Sequence, residues 1–216
     1  MNLLSALAIL PYVLLSLGAP QRNQEAANDN VPAVVSTPAP EGFKILNINI
    51  SGENCNDEST SFSISPEGNV KVLLDNYYAG YGTEMPRHFN HNQCTITLGA
   101  RVPRGYSFGL KSIENSGSLR LDGEVFSSQE TTYSFQGSDA KATAKTGLQG
   151  YIQQTLYTNR DVFETGSTVT SPCGVDFAVL KIQNDLIVNS TVPGFRSGFV
   201  YTWEVNVSDF FWKTCE

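Results

Sequence analysis

The side chains able to bind a metal ion are few in this sequence. The two histidines, His88 and His91, lie three positions apart in a polar stretch just before Cys94. This spacing could present two imidazoles to one metal ion. Asp75 and Glu84 lie upstream, but no motif marks either one as a third ligand. We therefore predict a polar loop leading into a strand, with no metal ion and no other cofactor.

Groups for covalent or acid–base catalysis are weakly marked as well. A serine nucleophile needs a nearby histidine, and the sequence has no G-x-S-x-G turn. Two carboxylate pairs have spacings that could serve glycoside hydrolysis: Asp122 with Glu124, and Asp161 with Glu164. Such pairs are common on solvated surfaces, so we predict a protein without catalytic residues. The alternative is a hydrolase acting on extracellular carbohydrate.

Aromatic residues are the more suggestive group. Tyr77, Tyr78 and Tyr81 cluster in the segment DNYYAGYG, whose glycines indicate a loop. Exposed aromatic rings have flat apolar faces and polar tips, which suit stacking on a sugar ring or on a partner protein. We therefore predict ligand binding at these three tyrosines; the alternative is that their rings cap the end of the fold. Trp203 lies inside an alternating segment and is predicted to be in the core.

The four cysteines predict two disulfides. An even number of cysteines is typical of an oxidising compartment, and the absence of a C-x-x-C pair disfavours a zinc site. Four cysteines allow three pairings. We prefer Cys55–Cys94 with Cys173–Cys215, because each pair then lies within its own half of the chain. Each bond would close a loop of about 40 residues and stabilise the fold by about 4 kcal/mol.

The beginning of the chain differs from the rest. Residues 1–18 are mostly apolar, carry no charge and are too short for a spanning helix, which predicts a cleaved signal peptide. Residues 19–41 are rich in Pro, Ala and Asn and predict a disordered linker. A secreted domain over 42–216 is then expected, with no membrane attachment after cleavage.

Three sequons would be available for glycans in the secretory pathway of a eukaryote. They begin at Asn49, Asn189 and Asn206. Asn49 and Asn206 fall on the polar phase of their strands, as a glycan attachment site requires. We predict a glycoprotein that is extracellular, either in the surroundings or at the cell wall.

The charge of the chain excludes some partners. Its formal net charge is −7, and no run of Lys or Arg occurs. Phosphate backbones and anionic membranes both bind clustered cations. We therefore predict that the protein binds neither nucleic acid nor the membrane surface.

The pattern from Gly42 onward is that of strands. Apolar and polar residues alternate with period two in many short segments, separated by turn signals. The predicted core-facing sets include Leu46/Ile48/Ile50, Val70/Val72/Leu74, Ile96/Leu98/Ala100 and Phe199/Tyr201/Trp203/Val205/Val207. Only the stretch 147–157 could hold a helical turn. This pattern predicts an all-β fold, a single antiparallel β-sandwich or jelly-roll-like domain with two disulfides.

Four spaced motifs resemble a known family of secreted, mainly fungal proteins, domain of unknown function 4360. The motifs are NQCTI at 92–96, PRGYSF at 103–108, SPCG at 171–174 and WKTC at 212–215. The resemblance covers roughly residues 47–216. It departs at Cys55, which the family tends to follow with Pro-x-Gly-Ser and which is followed here by Asn-Asp-Glu-Ser. The resemblance implies a small secreted domain with paired cysteines and no established activity, so it transfers no functional residues.

These observations together predict a secreted, non-catalytic β-sandwich protein. Its expected partner is a cell-wall polysaccharide or an extracellular protein of the host or of the same organism. A purely structural component of a wall or spore coat is a further possibility.

Overall fold

The computed structural model describes residues 38–56, 58–83, 89–164, 169–192 and 195–215. The predicted signal peptide and most of the predicted linker lie outside these ranges, and so do Glu84 and His88. All described residues belong to one compact unit, 35–216.

The described chain is built from strands. It contains no helix, and therefore none that is long and apolar enough to cross a membrane. The strands are β1 Lys44–Gly52, β2 Thr60–Ile64, β3 Val70–Leu74, β4 Tyr78–Tyr81, β5 His91–Arg101, β6 Tyr106–Leu121, β7 Val125–Phe135, β8 Lys141–Gln149, β9 Ile152–Val162, β10 Phe177–Ser190 and β11 Gly198–Thr214.

The strands form two antiparallel sheets. Sheet A has the order β1-β5-β10-β7-β8, and sheet B has the order β2-β3-β11-β6-β9. Strand β4 continues the line of β3, since β3 and β4 pair with successive parts of β11. The predicted all-β sandwich is therefore confirmed.

The core lies between the two sheets. The apolar side chains of the alternating strands point into this space. In β7 every second side chain is buried, from Val125 to Phe135. One end of the core is aromatic: the ring of Phe108 lies 5.1 Å from that of Phe135 and 5.4 Å from that of Phe43. Edge-to-face contacts of this kind add to the stability that burial of the rings provides.

Both preferred disulfides are present. Cys55 pairs with Cys94 across a Cα–Cα distance of 5.5 Å, and Cys173 pairs with Cys215 across 5.7 Å. The first bond ties the β1–β2 connection to β5. The second ties the segment before β10 to the end of β11, and it closes the loop of the larger sequence separation, 42 residues.

The structure differs from the predicted pattern at both ends of sheet A, in β1 and after β8. A register shift between Ile45 and Asn47 leaves Leu46 half-exposed, so Phe43 and Ile45 reach the core in its place. The stretch 147–157 holds no helical turn: β8 and β9 meet there in a tight turn at Gly150, which has a φ of 105°. Glycine adopts this φ without a Cβ clash, and the turn carries the chain from sheet A to sheet B.

Candidate functional site

The three predicted tyrosines do not act together. The side chain of Tyr77 is 0% exposed, and its hydroxyl donates to the backbone oxygen of Asn184 at 2.6 Å. Burial raises the pKa of Tyr77 well above its ordinary value, so the hydroxyl remains a donor. The prediction that Tyr77 is an exposed ligand-binding ring is therefore wrong, because its hydroxyl has a partner inside the sandwich.

The other two tyrosines, Tyr78 and Tyr81, lie on opposite faces of β4. Ala79 is fully buried and Tyr81 packs against the core, so the odd positions of β4 face inward. Tyr78 faces the outer side of sheet B, and its ring stacks on that of Phe89 with a centroid distance of 5.1 Å. Of the three predicted rings, Tyr78 is the one that lies on an outer face.

A β-bulge in β11 decides where Trp203 lies. Val200 and Thr202 are buried before the bulge and Val205 is buried after it, because the register against β6 shifts between Thr202 and Glu204. Trp203 is half-buried and is not part of the core cluster. The prediction that Trp203 lies in the core is therefore wrong, since the bulge places it on the outer face of sheet B.

The same phase brings further apolar side chains to this face. Tyr201 lies opposite Tyr78 on β4 and opposite Ser118 on β6, and Ser118 lies opposite Leu156 on β9. Directly opposed residues share a face, with Cβ atoms about 4.5–5.5 Å apart. One row of side chains therefore crosses three strand pairings of sheet B, ending at Leu156, which is 74% exposed.

We call this surface the aromatic platform. It consists of Tyr78, Phe89, Phe199, Tyr201 and Trp203, with Leu156 at its edge.

Contacts within the platform hold its rings in place. The hydroxyl of Tyr201 donates to the backbone oxygens of Leu74 at 3.1 Å and Asp75 at 3.0 Å. Burial, followed by the charge of Asp75, raises the pKa of Tyr201, which keeps this hydroxyl protonated. The ring of Trp203 meets that of Tyr201 edge to face at 5.9 Å. Both rings are therefore fixed before any ligand arrives.

Charged groups beside the platform have hydrogen-bond partners next to them. Glu204 accepts from Asn206 at 2.8 Å and from Lys71 at 3.0 Å. The hydrogen bond from Asn206, together with Lys71, lowers the pKa of Glu204 despite the opposing effect of burial. On the other side, Arg120 donates to Ser197 at 3.2 Å. The platform thus has apolar rings flanked by polar groups that can also hydrogen-bond to hydroxyls.

The first predicted carboxylate pair supports a loop. Asp122 accepts from the backbone amide and the hydroxyl of Ser197, at 2.8 Å and 3.1 Å. The backbone hydrogen bond from Ser197 is the main cause of the lowered pKa of Asp122. Glu124 pairs with Arg196 at 3.1 Å. Both carboxylates therefore anchor the β10–β11 connection, and the lowered pKa of Asp122 is the opposite of what a general acid needs.

The two residues of the second carboxylate pair differ in burial. Asp161 is buried between the sheets and accepts from Asn115 at 2.8 Å, Thr131 at 3.2 Å and Thr146 at 2.8 Å. Burial raises its pKa, and these three hydrogen bonds offset part of the effect. Glu164 is exposed and lies two positions beyond the end of β9. Asp161 thus joins the sheets in a buried polar network and does not pair with Glu164.

The described histidine belongs to the outer face of sheet A. His91 lies 3.1 Å from Asp185, which also accepts from Gln93 at 2.8 Å and from Gln183 at 3.0 Å. Burial raises the pKa of Asp185, but the hydrogen bonds from Gln183, Gln93 and His91 outweigh it and lower the pKa overall. Within the described ranges, no group of three or more His, Cys, Asp or Glu side chains could hold a metal ion.

The sequons lie on both outer faces. Asn49 is exposed on β1, at the edge of sheet A, and Asn189 lies near the end of β10 in the same sheet. Asn206 lies on the outer face of sheet B, where its amide donates to Glu204 at 2.8 Å and to Glu114 at 3.4 Å. A glycan on Asn206 would replace one of the two amide hydrogens that make these bonds, whereas Asn49 is exposed and lies at a sheet edge.

Most of the platform is not marked in the sequence. Alternation predicts a core-facing phase for Phe199 and Tyr201, and no motif marks Phe89 or Leu156. The usable signal was the run of aromatic residues at Phe199, Tyr201 and Trp203, on one phase of a strand whose other phase is Val-Thr. This pattern shows that the two phases face opposite sides of the sheet, but it does not show which side is buried.

Comparison with known proteins gives a family and one secreted relative. The model of the family described as "Domain of unknown function (DUF4360)" matches residues 41–215. An uncharacterized secreted protein from Arthroderma benhamiae is 27% identical over 157 residues, which cover 72% of this chain. The match spans 63% of that relative, so this chain corresponds to less than two thirds of the relative's length.

Two solved structures are similar to this chain at low identity. TmCBM61, in complex with β-1,4-galactotriose, is 13% identical, with coverage of 82% of this chain and 95% of that one and a TM-score of 0.22. A family 11 carbohydrate-binding module from Clostridium thermocellum, in complex with a β-1,3-1,4-mixed-linked tetrasaccharide, is 10% identical, with coverage of 80% and 92% and a TM-score of 0.24. At these TM-scores, neither likeness bears on what this chain binds.

Proposed function

This chain belongs to the DUF4360 family, and we propose that it is a non-catalytic protein that binds polysaccharide through the aromatic platform. The observation that carries the proposal is the position of five aromatic rings on the outer face of sheet B, outside the core that the fold requires. A sandwich of this kind needs apolar side chains between its sheets, and none on this outer face. The platform therefore requires an explanation other than folding.

Stacking on sugar rings is the interaction that this surface supports best. The faces of pyranose rings carry C–H groups, which pack against flat aromatic rings, while the hydroxyls at the ring edge need hydrogen-bond partners. The platform offers the rings, and Glu204, Asn206 and Arg120 lie beside them with donors and acceptors. A few well-placed aromatic residues commonly dominate the energy of a binding surface.

The platform is also prepared for binding. The double hydrogen bond of Tyr201 and the stacking of Tyr78 on Phe89 restrict these rings in the free protein. A ligand then loses less free energy to the ordering of side chains. The net charge of −7 disfavours an acidic polymer, so we propose a neutral polysaccharide as the ligand of the platform.

We propose that the protein acts outside the cell and, more specifically, at the cell wall. The two disulfides favour an oxidising compartment, and the similarity to a secreted protein agrees with it. We propose glycans at Asn49 and Asn189 on sheet A, where they would leave the platform open. Asn206 is the third sequon, and a glycan there would lie beside the platform.

The proposal is tested by retention of the purified protein on insoluble chitin, β-glucan, cellulose and mannan. Trp203→Ala should weaken retention on the preferred polymer at least about tenfold, equivalent to about 1.4 kcal/mol. The matched control is Lys181→Ala, which removes an exposed side chain from the middle of sheet A and should leave retention unchanged. Thermal unfolding of both variants verifies that the fold is intact.

Other outcomes would contradict the proposal. Equal retention of Trp203→Ala and the parent protein would exclude the platform as the binding surface. Soluble sugar released from the polymer would favour the alternative of a hydrolase. Absence of retention on all four polymers would favour an extracellular protein as the partner.

A further inference from the structure

A second surface with an aromatic side chain lies far from the platform. A cleft of about 540 Å³ opens where the segment before β1, the β2–β3 turn and the last part of β11 come together. This volume falls within the range of about 300–1,000 Å³ that is usual for small-ligand sites. Trp212 lines the cleft nine positions beyond Trp203, which is roughly 30 Å along an extended strand.

Trp212 forms the aromatic part of the cleft. Its ring lies 4.6 Å from that of Phe43 and 5.6 Å from that of Phe108, both of which are buried. Trp212 itself is only half-buried, so part of the indole remains open to the cleft. The indole is thus held by the core from behind and is available for stacking in front.

The rim of the cleft is polar and has an excess of negative charge. Glu41 and Glu67 line it together with a single cation among the described lining residues, Lys44. A hydrogen bond from the Ser65 side chain lowers the pKa of Glu67, which keeps this carboxylate ionised at neutral pH. Ser208 also lines the cleft and adds a hydroxyl.

We propose that this cleft is a second glycan site, independent of the platform, which binds a sugar ring carrying a free amino group. The ring would stack on Trp212, and its ammonium group would lie near Glu41 and Glu67. A cation beside an indole and two carboxylates is favoured by both interactions. The ligand class is therefore a polymer of amino sugars that is at least partly deacetylated, since N-acetylation removes the positive charge.

The chain offers a direct readout, because it contains only two tryptophans, one at each site. Trp203→Phe leaves Trp212 as the single tryptophan, and Trp212→Phe leaves Trp203. In the Trp203→Phe protein at low salt, a hexamer of β-1,4-linked glucosamine should change the emission in a saturable manner. The N-acetylated hexamer should bind at least about fivefold more weakly, and salt should weaken the binding of the glucosamine hexamer.

A charge variant tests the recognition without touching the core. Glu67 is exposed, so Glu67→Gln should fold normally, and we expect it to weaken binding of the glucosamine hexamer at least threefold. Lys181→Ala, in the same Trp203→Phe background, is the control and should have no effect. Equal affinity for the two hexamers, no effect of Glu67→Gln, or no change in emission would each overturn the proposal.

The experiments test the platform and the cleft independently of each other. Loss of retention on neutral polymers in Trp203→Ala concerns the platform alone. The emission of Trp212 concerns the cleft alone, and Glu67→Gln should retain full binding to the neutral polymers.

Discussion

The two outer faces of the sandwich differ in chemistry although both belong to sheets that share one core. The outer face of sheet A carries polar pairs along β7 and β8: Thr132 and Thr143 share a hydrogen bond of 2.8 Å, and Lys145 pairs with Glu130 at 3.4 Å. The outer face of sheet B carries the aromatic platform. The fold therefore does not set the chemistry of an outer face, because the inner face already provides the burial.

Hydrogen bonding predicts different tendencies to bind for the two faces. On sheet A, Asp185 accepts hydrogen bonds from His91 and Gln93 on the neighbouring strand β5 and from Gln183 on its own strand. A ligand there would have to replace bonds that already exist. On sheet B the rings of the platform are half-buried, and covering their exposed parts would gain free energy in proportion to the apolar area buried. Binding is therefore expected on sheet B.

The largest expected effect is a difference in stability between variants of two adjacent tyrosines. Tyr77→Ala removes a buried ring and its hydrogen bond to Asn184, so the free energy of unfolding should fall by about 3–5 kcal/mol. Tyr78→Ala should lower it by no more than about 1 kcal/mol, since Tyr78 is not in the core, and should weaken polysaccharide retention instead. Urea unfolding measures the first quantity. Similar destabilisation by both variants would place Tyr78 in the core and remove it from the platform.

A smaller effect is expected when a platform ring is loosened but kept. Tyr201→Phe removes the hydroxyl that donates to the backbone oxygens of Leu74 and Asp75, and should cost about 1 kcal/mol of stability. We expect retention on the preferred polymer to weaken by about threefold, because the ring must be ordered on binding. Thr132→Val removes a comparable hydroxyl from sheet A and should leave retention unchanged. Unaltered retention in Tyr201→Phe would argue against prior fixation of the platform.

The smallest effect concerns pH and two aspartates with opposite shifts. The raised pKa of Asp161 means that its stabilising contribution is complete below the ordinary value of 3.8 and is lost as the pH rises through the folded-state pKa. The lowered pKa of Asp185 has the opposite sign: its contribution is present above 3.8 and is lost as the pH falls through the folded-state pKa.

Substitution by asparagine should reveal these two signs. Unfolding by urea between about pH 2.5 and 6 should show the cost of Asp185→Asn growing with pH. The cost of Asp161→Asn should shrink over the same range. Parallel trends for the two variants would contradict the assignment of Asp161 to the interior and Asp185 to the outer face of sheet A.

Much of the architecture was accessible from the sequence. The pairings Cys55–Cys94 and Cys173–Cys215 followed from cysteine positions, and the all-β class followed from period-two alternation in segments such as 94–102. These features are local or depend on few residues. The candidate site was less accessible: of the predicted tyrosines, Tyr78 is the one that lies on the platform.

The sequence by itself determined that strands with two distinct phases would form, and that two cystine bridges would brace them. Only the tertiary structure decided which phase is inside. The bulge opposite β6 turns Trp203 outward while Val205 remains in the core, and Asn184 gives the hydroxyl of Tyr77 a partner inside the sandwich. The cleft at Trp212 likewise needs three segments that are distant in sequence. Alternation is a local property of a strand, whereas the face that is buried depends on the strands that pair with it and on the sheet that covers it.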